Sequence, residues 1–363
     1  MKTLTHHPLT ALLGALALGA ACEAARAVDY HAATVQDLQT ALTLAAGSSG
    51  SNNIYVTNGY YLGNFNFNST NVNNLTLLAE PGVANTQITI DSGGIGSSLN
   101  ISGTATAKIT VQGMTFLRNC NSTALGGLQI AGGNTTILVS GCRFLSPTNS
   151  SGMGLNISRG LNATVTNCTA AGNPSGGGGA GIYIVGITNL VTVQNCTAIT
   201  NNCGGIQVSG ANVVAISGNL LAGNSGVNSA TVANGNGAGV FCSGTTIALS
   251  GNTLTGNSAN NFSVGGGAYC TGTTLTLTGN TFTGNSAITG GQYGAGGGAY
   301  CSGTSITLSG NTFAGNSAVP SGGGAACTGG IVMLSNNSFT GNSANTGGGA
   351  PLTHGEKTPG GSE

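Results

Sequence analysis

Residues 250–259 read SGNTLTGNSA, residues 278–287 read TGNTFTGNSA, and residues 309–318 read SGNTFAGNSA. Each decapeptide is followed by a glycine run that ends in a short strand with cysteine: GGGAYC at 265–270, GGGAYC at 296–301 and GGGAAC at 322–327. The unit recurs every 26–33 residues or so, which is too short to bury its own apolar face, so it must stack on its copies. The chain is therefore expected to be a solenoid.

Working outward from Asn280 shows the same unit in degenerate form upstream. Five and three residues before the equivalent of Asn280 lie Ile109/Val111, Ile137/Val139, Ala163/Val165, Val191/Val193, Val214/Ile216, Ile247/Leu249, Leu275/Leu277, Ile306/Leu308 and Val332/Leu334. Every pair is apolar with period-2 spacing, so each is a strand with one face inward. Two residues after the Asn280 equivalent come Phe116, Phe144, Ala170, Ala198, Leu221, Leu254, Phe282, Phe313 and Phe339, a third inward column.

The Asn280 position itself reads Met114, Cys142, Cys168, Cys196, Asn219, Asn252, Asn280, Asn311 and Asn337. It shares parity with the following phenylalanine, which points it inward. Buried amides are costly unless each bonds the next, and in-register parallel strands ~4.8 Å apart allow such a ladder. The competing reading is an exposed turn in the left-handed region, which Asn tolerates.

The strand after the glycine run has inward pairs Leu128/Ile130, Leu155/Ile157, Ile182/Ile184, Ile206/Val208, Val240/Cys242, Ala268/Cys270, Ala299/Cys301 and Ala325/Cys327. Cys242, Cys270, Cys301 and Cys327 thus fill a slot held earlier by Ile and Val, and read as small core residues. Axial disulfides stay open, since rung spacing falls within the ~4.4–6.8 Å Cα separation they need. No CxxC pair and no nearby His supports a metal site, and no cofactor is expected. The fold class that follows is all-β: a single-stranded right-handed parallel β-helix with three strands per coil. Thr34 to Ala46 reads as a helix capping its N-terminal end, with Thr34 and Asp37 at capping-box spacing and Val35, Leu38, Leu42 and Ala45 as the stripe.

The FxxN elements (Phe282–Asn285, Phe313–Asn316, Phe339–Asn342) alternating with Gly-Gly-Ala (266–268, 297–299, 323–325) resemble the repeats of the chlamydial polymorphic outer-membrane proteins. The motif match covers about 218–350, and a wider likeness to bacterial β-helix repeat proteins covers about 50–350. The resemblance implies a surface-displayed, adhesive autotransporter passenger. The chain departs from that plan in having no membrane-barrel segment.

Composition is consistent with export and unusual in its neutrality. Of 363 residues 66 are Gly and 14 are charged, with zero net charge, which argues against nucleic acid as a partner. Residues 1–27 read as a signal peptide: Lys2, the apolar run Leu9–Ala21, and the small-x-small site Ala25-Arg26-Ala27. A lipid anchor at Cys22, after Gly19-Ala20-Ala21, is the alternative, so any membrane association would run through a lipid anchor or an anchor missing from this sequence. The organisation expected is 1–27 signal, 28–49 capping segment, 50–350 β-helix, and 351–363 (PLTHGEKTPGGSE) a polar tail foreign to the repeat. A coil interrupted at Ala350 would leave a bare edge that invites self-association.

Polysaccharide lyases and hydrolases share this architecture, but they need clustered carboxylates. From Gly160 to Gly355 there is no Asp, Glu, Lys or Arg, and the one His is His354. Upstream, only Glu80 and Asp91 could meet. The chain therefore reads as a non-catalytic exported or cell-surface scaffold, with a polysaccharide-active enzyme as the alternative. Its partner would be a glycan or a host or cell-surface protein. The candidate binding strip is Phe241, Tyr269 and Tyr300, outward-facing on three consecutive coils; the competing readings are that a glycine-rich loop covers it or that it serves only cross-strand stacking. Thr and Ser ranks (Thr276/Thr278, Thr307/Ser309, Thr281/Thr283) resemble ice-binding β-helices, and equally suit any neutral sheet.

Overall fold

The computed structural model describes residues 27–93, 96–117, 126–146, 152–173, 180–202, 204–227, 236–260, 263–288, 294–346, 348 and 352–353. The expected signal sequence up to Arg26, Cys22 included, and nearly all of the polar tail lie outside these residues.

The chain winds as a parallel β-helix. Among the described residues, three sheets of 17, 11 and 6 strands run along the rod. Register links each coil to the next at the residues the repeat aligns: Leu249 with Leu277, Leu277 with Leu308, and Leu308 with Leu334. The short strand between two turns follows suit, pairing Leu254 with Phe282, Phe282 with Phe313 and Phe313 with Phe339. Phe282 and Phe313 stack with centroids 4.7 Å apart, and Phe313 and Phe339 at 4.8 Å. These columns are buried from Ile109 to Phe313, and Leu334 and Phe339 in the last described coil are partly covered.

In the later coils the glycine-run strand and the strand before the turn are one bent strand, as in Ala268–Thr278. The bend falls at Gly272, and at Gly244, Gly303 and Gly329 in its neighbours. A methyl at Gly272 would lie 2.2 Å from the Gly244 carbonyl oxygen, so the corner closes only without side chains.

Two columns of asparagine run through the interior. In the first, Nδ2 of Asn219 donates to Oδ1 of Asn252 (2.9 Å), Asn252 to Asn280 (2.9 Å), Asn280 to Asn311 (3.0 Å) and Asn311 to Asn337 (2.9 Å). The second, built from Asn173, Asn201, Asn224, Asn257, Asn285, Asn316 and Asn342, has the same chain of amide bonds at 2.8–3.0 Å. Each Nδ2 spends its other hydrogen on a carbonyl of the preceding coil, as Asn280 does on Leu249 (2.9 Å). After the first asparagine of each column, each Oδ1 also accepts the backbone N–H of the asparagine before it, as Asn311 does from Asn280 (2.9 Å). Inside each column the amides are fully bonded, which is why they can be buried. Turn and ladder coexist here: the residue before each first-column asparagine is left-handed, as at Gly279 (φ 62°) and Asn336 (φ 53°).

The N-terminal helix is Val35–Gly47, with both bonds of the Thr34–Asp37 capping box formed. Its buried face is Leu38, Ala41, Leu42 and Ala45; Val35, expected in the stripe, is 40% exposed because the helix rolls Ala41 inward instead. Gln39 Nε2 donates to the Asn66 carbonyl (3.2 Å) and Ser69 Oγ to that of Ala46 (2.8 Å), which pins the helix to the first coils. The sheet starts ahead of this helix: Val28–Ala32 pairs in register with residues 52–56. No described helix is long and apolar enough to cross a membrane.

Candidate binding surface

Phe241, Tyr269 and Tyr300 are register partners on successive coils and point away from the core. They stack at 5.2 and 5.4 Å between centroids, with interplanar angles of 6° and 7°. Each is half-buried. Ring faces are thus turned largely toward one another, and the strip offers outward mainly ring edges and the two tyrosine hydroxyls. Burial raises the Tyr269 phenol above its ordinary range, with Tyr300 and Cys270 adding to the effect, so the hydroxyl stays protonated and can donate as well as accept. The rank ends against Gln207 on one side and Ala326 on the other, both buried.

Two residues along the same strands, on the same outward face, stand Ser243, Thr271 and Ser302. They form one wall of a groove of about 710 Å³ that follows the bend in the strands. Its floor includes Gly244, Gly272 and Gly303, whose close packing excludes any side chain. The aromatic rank is legible in the sequence and this groove is not. A concavity made by absent side chains has no periodic signal; the only clue was a glycine recurring mid-strand.

The thiols of Cys242, Cys270, Cys301 and Cys327 form a continuous buried column behind the rank, in register. The seven described cysteines are free thiols. Contact with the thiol of the preceding coil, reinforced by burial, lifts Cys270, Cys301 and Cys327 well above the ordinary thiol range. Such groups are poor nucleophiles and poor metal ligands, since both roles need the thiolate.

The described carboxylates all have structural partners near the N-terminal end. Asp37 completes the helix cap, Asp29 accepts from Asn53 Nδ2 (2.8 Å), and Glu80 meets His31 (3.3 Å). Asp91 is buried, accepts the Gly93 N–H (2.7 Å) and takes a hydrogen bond from the Tyr60 hydroxyl.

A family model described as "Right handed beta helix region" matches residues 88–282, more than half of the chain. The chain belongs to the right-handed β-helix family. No curated protein matches it. A solved structure similar to this β-helix is that of PfbA, a surface adhesin of Streptococcus pneumoniae, at 14% identity over 88% of each chain with a TM-score of 0.40. The family hosts both enzymes and binding proteins, so function has to be argued from the surface.

Proposed function

We propose that this β-helix is a non-catalytic, exported scaffold of adhesin-like type that binds a glycan or a cell-surface molecule through the face bearing Phe241, Tyr269 and Tyr300. One observation carries the reading: that face is aromatic and hydroxylated, on a stretch of chain with no ionisable Asp, Glu, Lys or Arg from Gly160 to Gly355. Glycosidic hydrolysis needs paired carboxylates, and those described upstream already serve capping and packing. The FxxN and Gly-Gly-Ala likeness to chlamydial surface passengers supports display outside the cell, as does the signal-like N-terminus.

A glycan array and a cell-adhesion assay, run on the wild type and on a Tyr269→Ser/Tyr300→Ser variant, test this reading. Binding that the double variant loses supports it. Wild-type protein that binds nothing contradicts it.

A further inference from the structure

The aromatic rank holds one pair of tyrosines whose rings face each other across two coils. We propose that Tyr269 and Tyr300 are a site of oxidative cross-linking, joined ring to ring as a dityrosine when a haem peroxidase supplied with hydrogen peroxide acts on the folded protein. The inference stands whether or not the aromatic face binds a ligand.

Strand register makes the pair. Tyr269 and Tyr300 are Cα partners, with Ala268/Ala299 and Cys270/Cys301 paired on either side. The Ala268 N–H donates to the Gly298 carbonyl (2.9 Å) and the Gly267 N–H to that of Gly297 (3.0 Å), so the two backbones are held against sliding. The ring centroids are 5.4 Å apart and the planes 7° from parallel. That is wider than the ~3–3.5 Å of a near-attack pair, so the rings must first roll edge to edge. Both are half-buried, which leaves their outward side free for that motion.

Selectivity comes from the neighbours. Phe241 flanks Tyr269 at 5.2 Å, and Ala326 is the register partner of Tyr300 on the far side; neither has a phenolic hydrogen to lose. Tyr183, in the same column, lies between Asn156 and Gln207. Toward the N-terminal end Tyr30 is in register with Ile54, Tyr55 stacks on His31, and Tyr61 is buried. Among the described residues, Tyr269 and Tyr300 are the tyrosines stacked on one another.

The peroxidase takes one hydrogen atom, an electron with its proton, from each phenol. In each phenoxyl the unpaired electron spreads to the two carbons beside the C–O bond and to the carbon opposite, which already carries Cβ. Coupling therefore joins a Cε of Tyr269 to a Cε of Tyr300. Each of these carbons then gives up its hydrogen as a proton, and a proton returns to the oxygen of the same ring. Two hydrogens in all leave the protein, and one hydrogen peroxide becomes two waters. Hydroxyls and ring edges are what the rank turns outward, so the oxidant meets the atoms that react. The thiols of Cys270 and Cys301 are buried on the other side of the strand. The new bond staples two coils on their outer face and restricts the unfolded chain between the two residues.

The test treats dilute full-length protein with a haem peroxidase and hydrogen peroxide, then reduces and alkylates its thiols. The expected product has lost two hydrogens by mass, fluoresces blue as dityrosine does, and yields a pepsin peptide pair linking 269 to 300; trypsin has no Lys or Arg to cut between Gly160 and Gly355. The yield should be about tenfold or more above that of the same chain in urea, because only the folded register brings the rings together. Tyr269→Phe and Tyr300→Phe keep a ring in the stack, and each should remove the 269–300 link. Tyr183→Phe should leave it unchanged. Dityrosine fluorescence that persists undiminished in Tyr300→Phe, that arises only in covalent dimers, or that is no stronger from folded protein than from the chain in urea overturns the site. A loss of two hydrogens that thiol reductant reverses is a disulfide, and also overturns it.

Discussion

Asn280 reaches Asn311 twice: its backbone N–H and its Nδ2 both donate to the same Oδ1, at 2.9 and 3.0 Å. That doubled contact repeats along both ladders and couples each turn to the next. It makes the cost of a substitution depend on position in the column. Asn280→Cys strips the acceptor from both donors of Asn252, and at ~1–3 kcal/mol per orphaned buried donor it should destabilise by about 2–6 kcal/mol. Asn219→Cys sits where the column already changes to cysteine. It takes an acceptor only from the Cys196 N–H, and a thiol serves that role one coil earlier, where the Cys168 N–H meets Cys196 Sγ at 3.5 Å. Urea denaturation of the two variants should therefore show Asn219→Cys at less than half the loss of Asn280→Cys.

The glycines divide by what constrains them. Gly279 is left-handed with open space around its α-carbon, and Asn336 and Asn195 hold the equivalent position in other coils. Gly279→Asn is expected to change stability by no more than roughly 1 kcal/mol, since Asn tolerates that conformation. Gly272→Ala drives a methyl into the Gly244 carbonyl and should lower the melting temperature far more. Thermal melts of the two variants compare a conformational requirement with a steric one.

Alkaline pH should weaken the fold through the thiol column. Cys270, Cys301 and Cys327 hold their protons in the folded state to well above the ordinary range. An unfolded thiol ionises near pH 8.5, so above that the unfolded state binds fewer protons and stability falls as pH rises. Below it the contribution is complete. The slope should approach on the order of 1.4 kcal/mol per pH unit per thiol. Cys270→Val and Cys301→Val place in this slot the residue Val208 already supplies. They should flatten the alkaline limb in denaturation profiles taken from pH 7 to 10, while the wild type declines.

Iodoacetamide offers a check on the same column by kinetics. Native protein at mildly alkaline pH should be alkylated at these positions only as fast as it opens, and denatured protein at once. Rapid labelling of Cys301 in the folded protein would contradict its burial.

Much of this rod was readable from residue parity. Leu277 and Phe282 declare themselves as core because their equivalents are apolar in every coil, and Asn280 follows Phe282 inward. The second ladder is hidden from parity, although Asn285 lies inside the FxxN element Phe282–Asn285. Period-2 counting fails across a left-handed turn, and Gly284 is one (φ 60°). The signal was Ala287, two residues after Asn285 and buried like Ala259 and Ala318; counting back from it would have turned Asn285 inward. The aromatic rank was legible in position, but not in ring orientation. Stacking at 5.2 Å turns the faces of Phe241 and Tyr269 toward each other, and no residue pattern encodes a ring plane.

Hydrogen exchange of asparagine side-chain amides, followed by NMR on protein labelled with 15N at asparagine, tests the central claim most directly. Stacked coils tied by two internal ladders predict that the amides of Asn252, Asn280, Asn311, Asn257, Asn285 and Asn316 exchange as slowly as the backbone of the surrounding strands. Exchange of those six at the rate of solvent-exposed amides would contradict the account.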